Sequence, residues 1–399
     1  MGALLFSVPT PVVPAQNAPS RQQLLRIVRS GKYGFIDITG RVVITPRFLY
    51  ASYFAEGRAI VFQCGKYGFI GERGELVIPA RFQAAYHFSE GLAAVTLDGR
   101  VGYVDLAGNI AIAPQFDEGL PFFNGLAEVR VANKRGFIDK LGRMVIPAQF
   151  DQVLEFSEGL AAVEMSGRWG FINPEGKTVI PLQYRSASGF TQGRATVTTD
   201  ENQDRIIDRE GRVVAHDVLL PLGFVEGLAV ASLGGKWGYI DRHGRVSIPA
   251  KFDAAYSFYK GLARVRVGKR WGYIGKDGKF RIPLKYRGAT DFSDGLAAVQ
   301  IGDKWGFIDS SARLVVQPQF EFAGDAAFRN GIAVVDASDT ERCYIDVKGR
   351  RLWCGNISEW PNPEADPLAG ISEQQIRQNC ESLSDSSSTT DRGTLKSRS

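Results

Sequence analysis

The chain has 399 residues, of which 44% are hydrophobic and 45 are glycine. This composition is typical of a folded protein with many tight turns and excludes a largely disordered chain. The net charge of +5, from 48 basic and 43 acidic residues, is small for this length and does not by itself indicate a nucleic-acid-binding protein.

Residues 1–23 are predicted to be a flexible leader or the remnant of a signal segment. The stretch lacks a positively charged start, and Pro9, Pro11 and Pro14 interrupt its apolar run. Both interpretations stay open. We expect a secreted or periplasmic protein if Met1 follows or belongs to a signal peptide, and a cytoplasmic protein otherwise. No run of about 18 apolar residues occurs, so the sequence predicts no transmembrane helix.

From about residue 24 to 354, one pattern repeats at a step of 34 residues. The phrase Lys-Trp-Gly-Tyr-Ile-Asp at 236–241 marks it best. Its glycine returns at Gly34, Gly68, Gly102, Gly136, Gly170, Gly238, Gly272 and Gly306. A second phrase, Gly-Leu-Ala or a close relative, keeps the same interval. A fixed interval of this kind predicts a repeat array in which no unit buries its apolar side alone.

Each unit is predicted to form three antiparallel strands. In the unit at 236–267, apolar and small residues alternate with the period of a strand, and Asp241 and Gly244 frame a hairpin turn. A second strand ends at Pro249, an aromatic bend follows at 251–258, and residues 263–267 form the third strand. We expect the rings of the bend to fill the gap between units.

Units beginning near 32, 66, 100, 134, 168, 203, 236, 270, 304 and 341 make ten. The sixth is degenerate, and residues 25–29 match a third strand that can pair with the first unit. The predicted fold is therefore an all-β tandem array of about ten 34-residue three-stranded units, open and solenoid-like. A closed propeller-like ring is the alternative, disfavoured because propeller blades normally have four strands in rings of four to eight.

Residues 355–399 are predicted to be a C-terminal tail. Ser372 and Gln375 have the spacing of a capping box ahead of one short helix. Beyond residue 384 the tail is rich in Ser and Thr, and we expect it to be mostly disordered.

The phrase at 236–241, followed by Val-x-Ile-Pro and Phe-x-x-Gly-Leu-Ala, resembles the WG (KWG) repeat of bacterial proteins over residues 32–354. The resemblance implies a β-rich array that serves as an interaction module, and the family has no common catalytic residues. In this chain Tyr33, Tyr67, Val101 and Arg135 occupy the tryptophan position. We call this position the slot; in the first unit it is held by Tyr33.

Tryptophan remains in the slot at Trp169, Trp237, Trp271 and Trp305, where the ring could stack on a ligand or pack in the core; core packing is the favoured interpretation. Aspartates at the hairpin entries, such as Asp139 and Asp241, could line a metal-binding groove, but a turn role explains them better. Because no histidine, cysteine or carboxylate cluster has ligand spacing, we expect no metal, no cofactor and no catalytic residues.

The stretch 260–287 contains ten basic residues and one acid. It predicts an anion-binding surface formed by Arg264, Arg266, Lys269, Arg270, Lys279, Arg281, Lys285 and Arg287. Interleaved aromatic residues could add stacking on an anionic polymer. A solvated strand face is the simpler interpretation, because charged strands also protect sheet edges.

Cys343 and Cys354 flank the last hairpin. A two-residue loop places them opposite each other and allows a disulfide, whereas a type I turn with a bulge at Gly349 places Cys343 opposite Trp353. The second register suits the other units better, and both are kept.

The sequence thus favours a non-enzymatic interaction scaffold that binds a protein or cell-envelope partner. A binder of anionic polymer or an anionic surface through 260–287 is the alternative. The sequence predicts neither the partner's identity nor the oligomeric state.

Overall fold

The computed structural model describes residues 23–216, 223–324, 326–360, 372 and 374–378. The predicted leader up to residue 22 and the predicted disorder after 384 lie outside the described residues. Within the described part, helical structure is confined to the 3-10 turn Ile357–Glu359 and to residues 374–378. Ahead of the latter, the Ser372 hydroxyl accepts from the Gln375 backbone N–H at 3.2 Å, and the Gln375 amide oxygen accepts from the Ser372 N–H at 2.8 Å.

All other regular structure consists of strands in ten small antiparallel sheets, which we call blades 1 to 10 in chain order. Blades 1 to 3 are β1 (Leu25–Arg29), β2 (Lys32–Ile36) and β3 (Val42–Phe48); β4 (Tyr50–Ala51), β5 (Ala59–Gln63), β6 (Lys66–Ile70) and β7 (Leu76–Phe82); and β8 (Ala84–Ala85), β9 (Leu92–Leu97), β10 (Arg100–Asp105) and β11 (Ile110–Phe116). Blades 4 and 5 are β12 (Glu118–Gly119), β13 (Ala127–Val131), β14 (Lys134–Ile138) and β15 (Met144–Phe150); and β16 (Gln152–Val153), β17 (Ala161–Met165), β18 (Arg168–Ile172) and β19 (Thr178–Tyr184).

The remaining blades follow the same order. Blades 6 and 7 are β20 (Ser186–Ala187), β21 (Ala195–Thr198), β22 (Asp204–Ile207) and β23 (Val213–His216); and β24 (Phe224–Val225), β25 (Leu228–Leu233), β26 (Lys236–Asp241) and β27 (Val246–Phe252). Blades 8 to 10 are β28 (Ala254–Ala255), β29 (Leu262–Val267), β30 (Arg270–Gly275) and β31 (Phe280–Tyr286); β32 (Leu296–Ile301), β33 (Lys304–Asp309) and β34 (Leu314–Phe320); and β35 (Ile332–Asp336), β36 (Glu341–Asp346) and β37 (Arg351–Asn356).

Seven of the ten blades have a fourth, two-residue strand that the sequence did not predict. It comes from the aromatic bend, and we call it the short strand. In blades 9 and 10 a single bridge, Ala289 to Val299 and Phe322 to Asp336, takes its place. The sequence repeat and the blade are also offset, because the third strand of one unit pairs with the first strand of the next, as Val61 pairs with Gly68.

The glycine after the slot is required by the bulged strand beside it. In blade 1 the ladder between β2 and β3 shifts register between Tyr33 and Phe35, and the bulge brings backbone over Gly34. A Cβ on Gly34 would lie 2.5 Å from the Ile44 carbonyl oxygen. The same conflict, at 2.5 to 2.7 Å, exists at Gly68, Gly102, Gly136, Gly170, Gly238, Gly272 and Gly306. Any side chain at these positions would displace the backbone.

The hairpin aspartates act in the turns. The Asp139 carboxylate accepts from the backbone N–H groups of Leu141 and Arg143, both at 2.9 Å. Asp241 accepts likewise from His243 and Arg245. The pKa of Asp139 is lowered, chiefly because the Arg143 side chain bonds to its charged form, and the backbone N–H groups add to this effect.

Neighbouring blades are joined by rings and by hydrogen bonds. An aromatic residue on the second long strand meets a phenylalanine of the next blade's bend, as predicted for the bend, with ring centroids 4.9 to 5.0 Å apart in the pairs Phe35–Phe54, Phe69–Phe88, Tyr103–Phe122, Phe137–Phe156, Phe171–Phe190, Tyr239–Phe258, Tyr273–Phe292 and Phe307–Phe328. Side chains of one blade also accept from a glycine N–H of the next, as Glu90 does from Gly125 at 3.1 Å.

The array closes on itself. The Tyr344 hydroxyl of blade 10 donates to the Arg26 carbonyl of blade 1 at 2.8 Å, although 318 residues separate them. Leu25, Ile27 and Ile36 share one apolar cluster with Ile332 and Tyr344. The ten blades therefore form a closed β-propeller. The ring alternative is confirmed, and the open array is wrong: the bend supplies the missing fourth strand, and blade-to-blade packing continues across the chain ends.

Candidate interaction surfaces

The slot tryptophans pack between blades. Trp305 is buried in the cluster that joins blades 9 and 10. Trp169, Trp237 and Trp271 are half-buried and pack against clusters that each join their own blade to the next one. Because none of the four projects freely, the arrangement supports the packing interpretation over a stacking platform.

Part of the predicted anion-binding stretch is neutralised by acids, one inside the stretch and two, Asp291 and Asp303, beyond its end. Arg264 lies 3.2 Å from Asp291, Arg281 lies 3.0 Å from Asp277, and Arg287 lies 2.9 Å from Asp303. Arg264 is also largely buried, with its guanidinium 3.8 Å from the centroid of the Tyr256 ring. Arg266 donates to the Gly268 carbonyl at 2.9 Å. These side chains stabilise blades 8 and 9.

The rest of the stretch is exposed. Lys269, Lys279 and Lys285 form no ion pair with a carboxylate in the part of the chain that the structure describes. Arg270 donates to the Lys285 carbonyl at 3.2 Å, which brings Arg270 and Lys285 together at one end of blade 8. Lys279 immediately precedes the third long strand of the blade, β31.

Cys343 and Cys354 form a disulfide with an S–S distance of 2.01 Å and a Cα–Cα distance of 4.1 Å. The turn has the Asp346-to-Gly349 hydrogen bond of the other hairpins, yet the cysteines pair directly. A register shift between Tyr344 and Ile345 reconciles the two, because one extra residue, Leu352, separates the turn from the cysteine pair. Both registers considered from the sequence thus describe part of this hairpin.

A pocket lies between blades where two consecutive slots lack a ring. Val101 fills the slot of blade 3 and Arg135 that of blade 4. The pocket has a volume of about 200 Å³. Its lining comprises Ala84, Tyr86, Thr96, Val101, Asp117, Glu118, Gly119, Leu120, Glu128, Arg130 and Arg135. By contrast, Trp271 in blade 8 has its ring 6.0 Å from that of Tyr256.

Charges replace the missing rings in this pocket. Arg130 donates to Glu118 at 2.7 Å, and Arg135 donates to Glu128. Burial raises the pKa of Glu128, Glu118 and Glu155 add to that rise, and Arg135 opposes it. The Tyr86 ring is 45% exposed at the rim and offers an aromatic face to a ligand.

A second, smaller pocket lies between blades 4 and 5 and shares Leu120 and Glu128 with the first. Its other lining residues are Pro121, Phe123, Leu126, Phe137, Glu155 and Phe156. We call the two pockets together the blade 3–5 groove. Sequence reasoning did not select these residues, although the two ringless slots, Val101 and Arg135, were a visible signal for them.

The fold and these surfaces define a β-propeller repeat protein. The family described as WG containing repeat matches eight segments: 33–67, 67–100, 102–134, 136–169, 169–202, 237–271, 271–305 and 305–336. Together they cover more than half of the chain, and the chain belongs to the WG-repeat family.

Two solved structures are similar to this chain. A crystal structure of the eukaryotic initiation factor is similar to this chain, with a TM-score of 0.50 and 8% sequence identity, over 84% of this chain and 96% of that chain. BamB from Moraxella catarrhalis has a TM-score of 0.35 at 12% identity, over 66% and 91%. At such identities the likeness to the first structure supports the fold alone. No match to a curated protein was found. No helix among the described residues has the length and apolar character to span a bilayer.

Proposed function

We propose that the chain is a non-enzymatic interaction scaffold whose ring binds a protein or cell-envelope partner. Membership of the WG-repeat family and the propeller fold support a repeat-based interaction role. The observation that carries the proposal is the blade 3–5 groove, because repeats that otherwise pack tightly leave an opening lined by an exposed ring and unequal charges. Such mixed aromatic and charged lining is typical of partner-binding sites.

Affinity capture with the full chain tests this role. Tyr86→Ala removes the exposed ring of the groove, and Phe280→Ala removes a comparably exposed ring of blade 8, at 45% and 41% exposure. We expect wild type and Phe280→Ala to retain the same partner protein. Tyr86→Ala should retain at least about tenfold less of it, because an aromatic anchor contributes about that much to affinity. Identical retention by all three proteins would contradict the groove's role.

Blade 8 supports a second candidate function, binding of an anionic polymer. Lys269, Arg270 and Lys285 are exposed at one end of the blade, and none forms an ion pair with a described carboxylate. Binding to heparin, measured over a range of salt concentrations, tests it. The double variant Lys269→Ala/Lys285→Ala should reduce the salt slope by about two, whereas Lys348→Ala on blade 10 should not. An unchanged slope in the double variant would eliminate this candidate.

A further inference from the structure

Two blades place an arginine at the same repeat position, and both arginines cross to the next blade. Arg26 of blade 1 donates to the Ala51 carbonyl at 2.9 Å and to the Tyr53 hydroxyl at 3.3 Å. Arg26 and Arg264 are separated by 238 residues, or seven repeats of 34. The same geometry therefore recurs seven blades later.

In blade 8, Arg264 donates to the Ala289 carbonyl and lies 3.2 Å from Asp291. Ala289 and Asp291 occupy the repeat positions of Ala51 and Tyr53. The backbone at this junction thus forms a site for a guanidinium group, with a short-strand carbonyl on one side and a polar side chain two residues later.

Blade 4 has the same site without its arginine. Glu128 stands where Arg26 and Arg264 stand, and Val153 and Glu155 of blade 5 stand where Ala289 and Asp291 stand. No described side chain donates to the Val153 carbonyl, and no described cation forms an ion pair with Glu155. Two carboxylates therefore line the place where a positive charge sits in blades 1 and 8.

The lining of the smaller pocket combines apolar and acidic side chains. Leu120, Phe137 and Phe156 form an apolar wall of the smaller pocket, and Glu128 and Glu155 line it with charge. Arg130 and Arg135 do not balance the nearby carboxylates of Glu118, Glu128 and Glu155, which leaves a net charge of about −1 when all are ionised.

We propose that the pocket between blades 4 and 5 binds the guanidinium of an arginine side chain presented by a protein partner. The inference rests on the proposed scaffold function and names the chemistry of its partner. A guanidinium has five donors in a plane, so it can donate to both carboxylates that line this pocket, Glu128 and Glu155, much as Arg264 bonds with Ala289 and Asp291 together. An ammonium group lacks this fork and is expected to bind more weakly.

The test uses the full chain and a blocked arginine, N-acetyl-arginine methylamide, titrated by saturation-transfer NMR. The matching blocked lysine and blocked citrulline are run in parallel. We expect saturable binding of the arginine probe, weaker binding of lysine, and none of citrulline, which has the same shape without charge. Absence of arginine binding, or equal binding of citrulline, would overturn the proposal.

Glu155→Gln keeps the shape of the exposed side chain and should weaken arginine binding at least tenfold, whereas Glu210→Gln, an exposed carboxylate of blade 6, should leave it unchanged. The double variant Glu128→Arg/Arg135→Trp reproduces the side chains of blade 8 and should fold, as judged by its thermal unfolding, yet lose the probe. Wild-type affinity in either groove variant contradicts the proposal. If the probe fails while a Tyr86-dependent partner is still captured, only the arginine assignment falls.

Discussion

Blades 4 and 8 have the same backbone but close their junctions differently. In blade 8, Trp271 fills the slot. Arg264 fills the position from which an arginine reaches the next blade, at residue 26 in blade 1, and we call it the crossing position. The Arg264 guanidinium lies 5.0 Å from the centroid of the Trp271 ring. In blade 4, Arg135 and Glu128 occupy the same two positions and pair with each other, which leaves pockets on both sides.

The glycine that follows the slot is common to both blades. A Cβ on Gly136 or Gly272 would lie 2.5 or 2.6 Å from the carbonyl oxygen of a bulged strand. The aspartate of the hairpin differs: Asp139 accepts a backbone N–H in blade 4, whereas blade 8 has Gly275 at that position, and Asp277, two residues later, accepts from Lys279 instead. Fold and recognition therefore depend on different residues: the glycine after the slot maintains the ring, and the slot and crossing positions are free to diverge.

The largest expected effect tests the shared part. Gly136→Ala and Gly272→Ala should each lower the free energy of unfolding by about 3 kcal/mol, because a backbone carbonyl cannot yield to the new methyl group. Chemical denaturation measures the loss. Gly189→Ala is the control, since its Cβ would meet nothing closer than Ser157 at 3.8 Å. A large loss in only one of the two blades would break the comparison.

A smaller effect is expected from opening the filled junction. Trp271→Val gives blade 8 the slot residue of blade 3 and should cost about 2 kcal/mol, because the half-buried ring loses its contacts with Tyr256 and Arg264. Phe280→Ala, at an exposed aromatic position of the same blade, should cost less than about 0.5 kcal/mol. Equal costs would show that the slot ring does not close the junction.

Removing the charge partner in blade 4 should cost about 2 kcal/mol near neutral pH. Arg135→Met leaves the largely buried Glu128 carboxylate without its ion pair. Because the folded-state pKa of Glu128 is raised already, and further without Arg135, the variant's deficit should shrink as pH falls and Glu128 takes up a proton. Denaturation at several pH values measures this. A deficit independent of pH would contradict it.

The smallest effect concerns the turns. Asp139→Ala should lower the melting temperature by a few degrees above pH 4, because two backbone N–H groups lose their acceptor. The folded-state pKa of Asp139 is lowered, so its contribution is present above the unfolded pKa and is lost as pH falls through the folded value. Wild type and variant should therefore converge in acid. A difference that stays constant as pH falls from neutral into acid would exclude this turn role.

Much of the fold follows from the sequence because each repeat carries the same local signals. The strands, the Asp-to-Gly turns and the count of ten units follow from period and turn chemistry. The two-residue strand Ala84–Ala85 is too short to show a period. The sequence did not predict closure of the ring. Contacts such as that between Phe69 and Phe88 join successive blades in an open array and in a closed one, and only the angle between blades determines which of the two forms.

The site residues depend on distances that sequence cannot supply. The sequence predicted that Arg264 is available to bind an anion, but in the structure Asp291 of the next blade lies beside it. The Cys343–Cys354 pairing depended on one bulged residue. The sequence analysis did not select the groove, because Glu128 and Glu155 belong to no motif. They become notable only when their repeat positions are compared with those of Arg26 and Arg264 in other blades.

The most direct test of the closed ring is a double-mutant cycle across its junction. Ile27 and Tyr344 come from opposite ends of the array and lie in one apolar cluster, and each is changed to alanine. In a closed ring their effects on unfolding free energy should be coupled by about 1 kcal/mol or more, whereas Ile27→Ala and Tyr239→Ala, in distant blades 1 and 7, should be additive. Additivity of Ile27→Ala with Tyr344→Ala, within about 0.3 kcal/mol, would contradict closure.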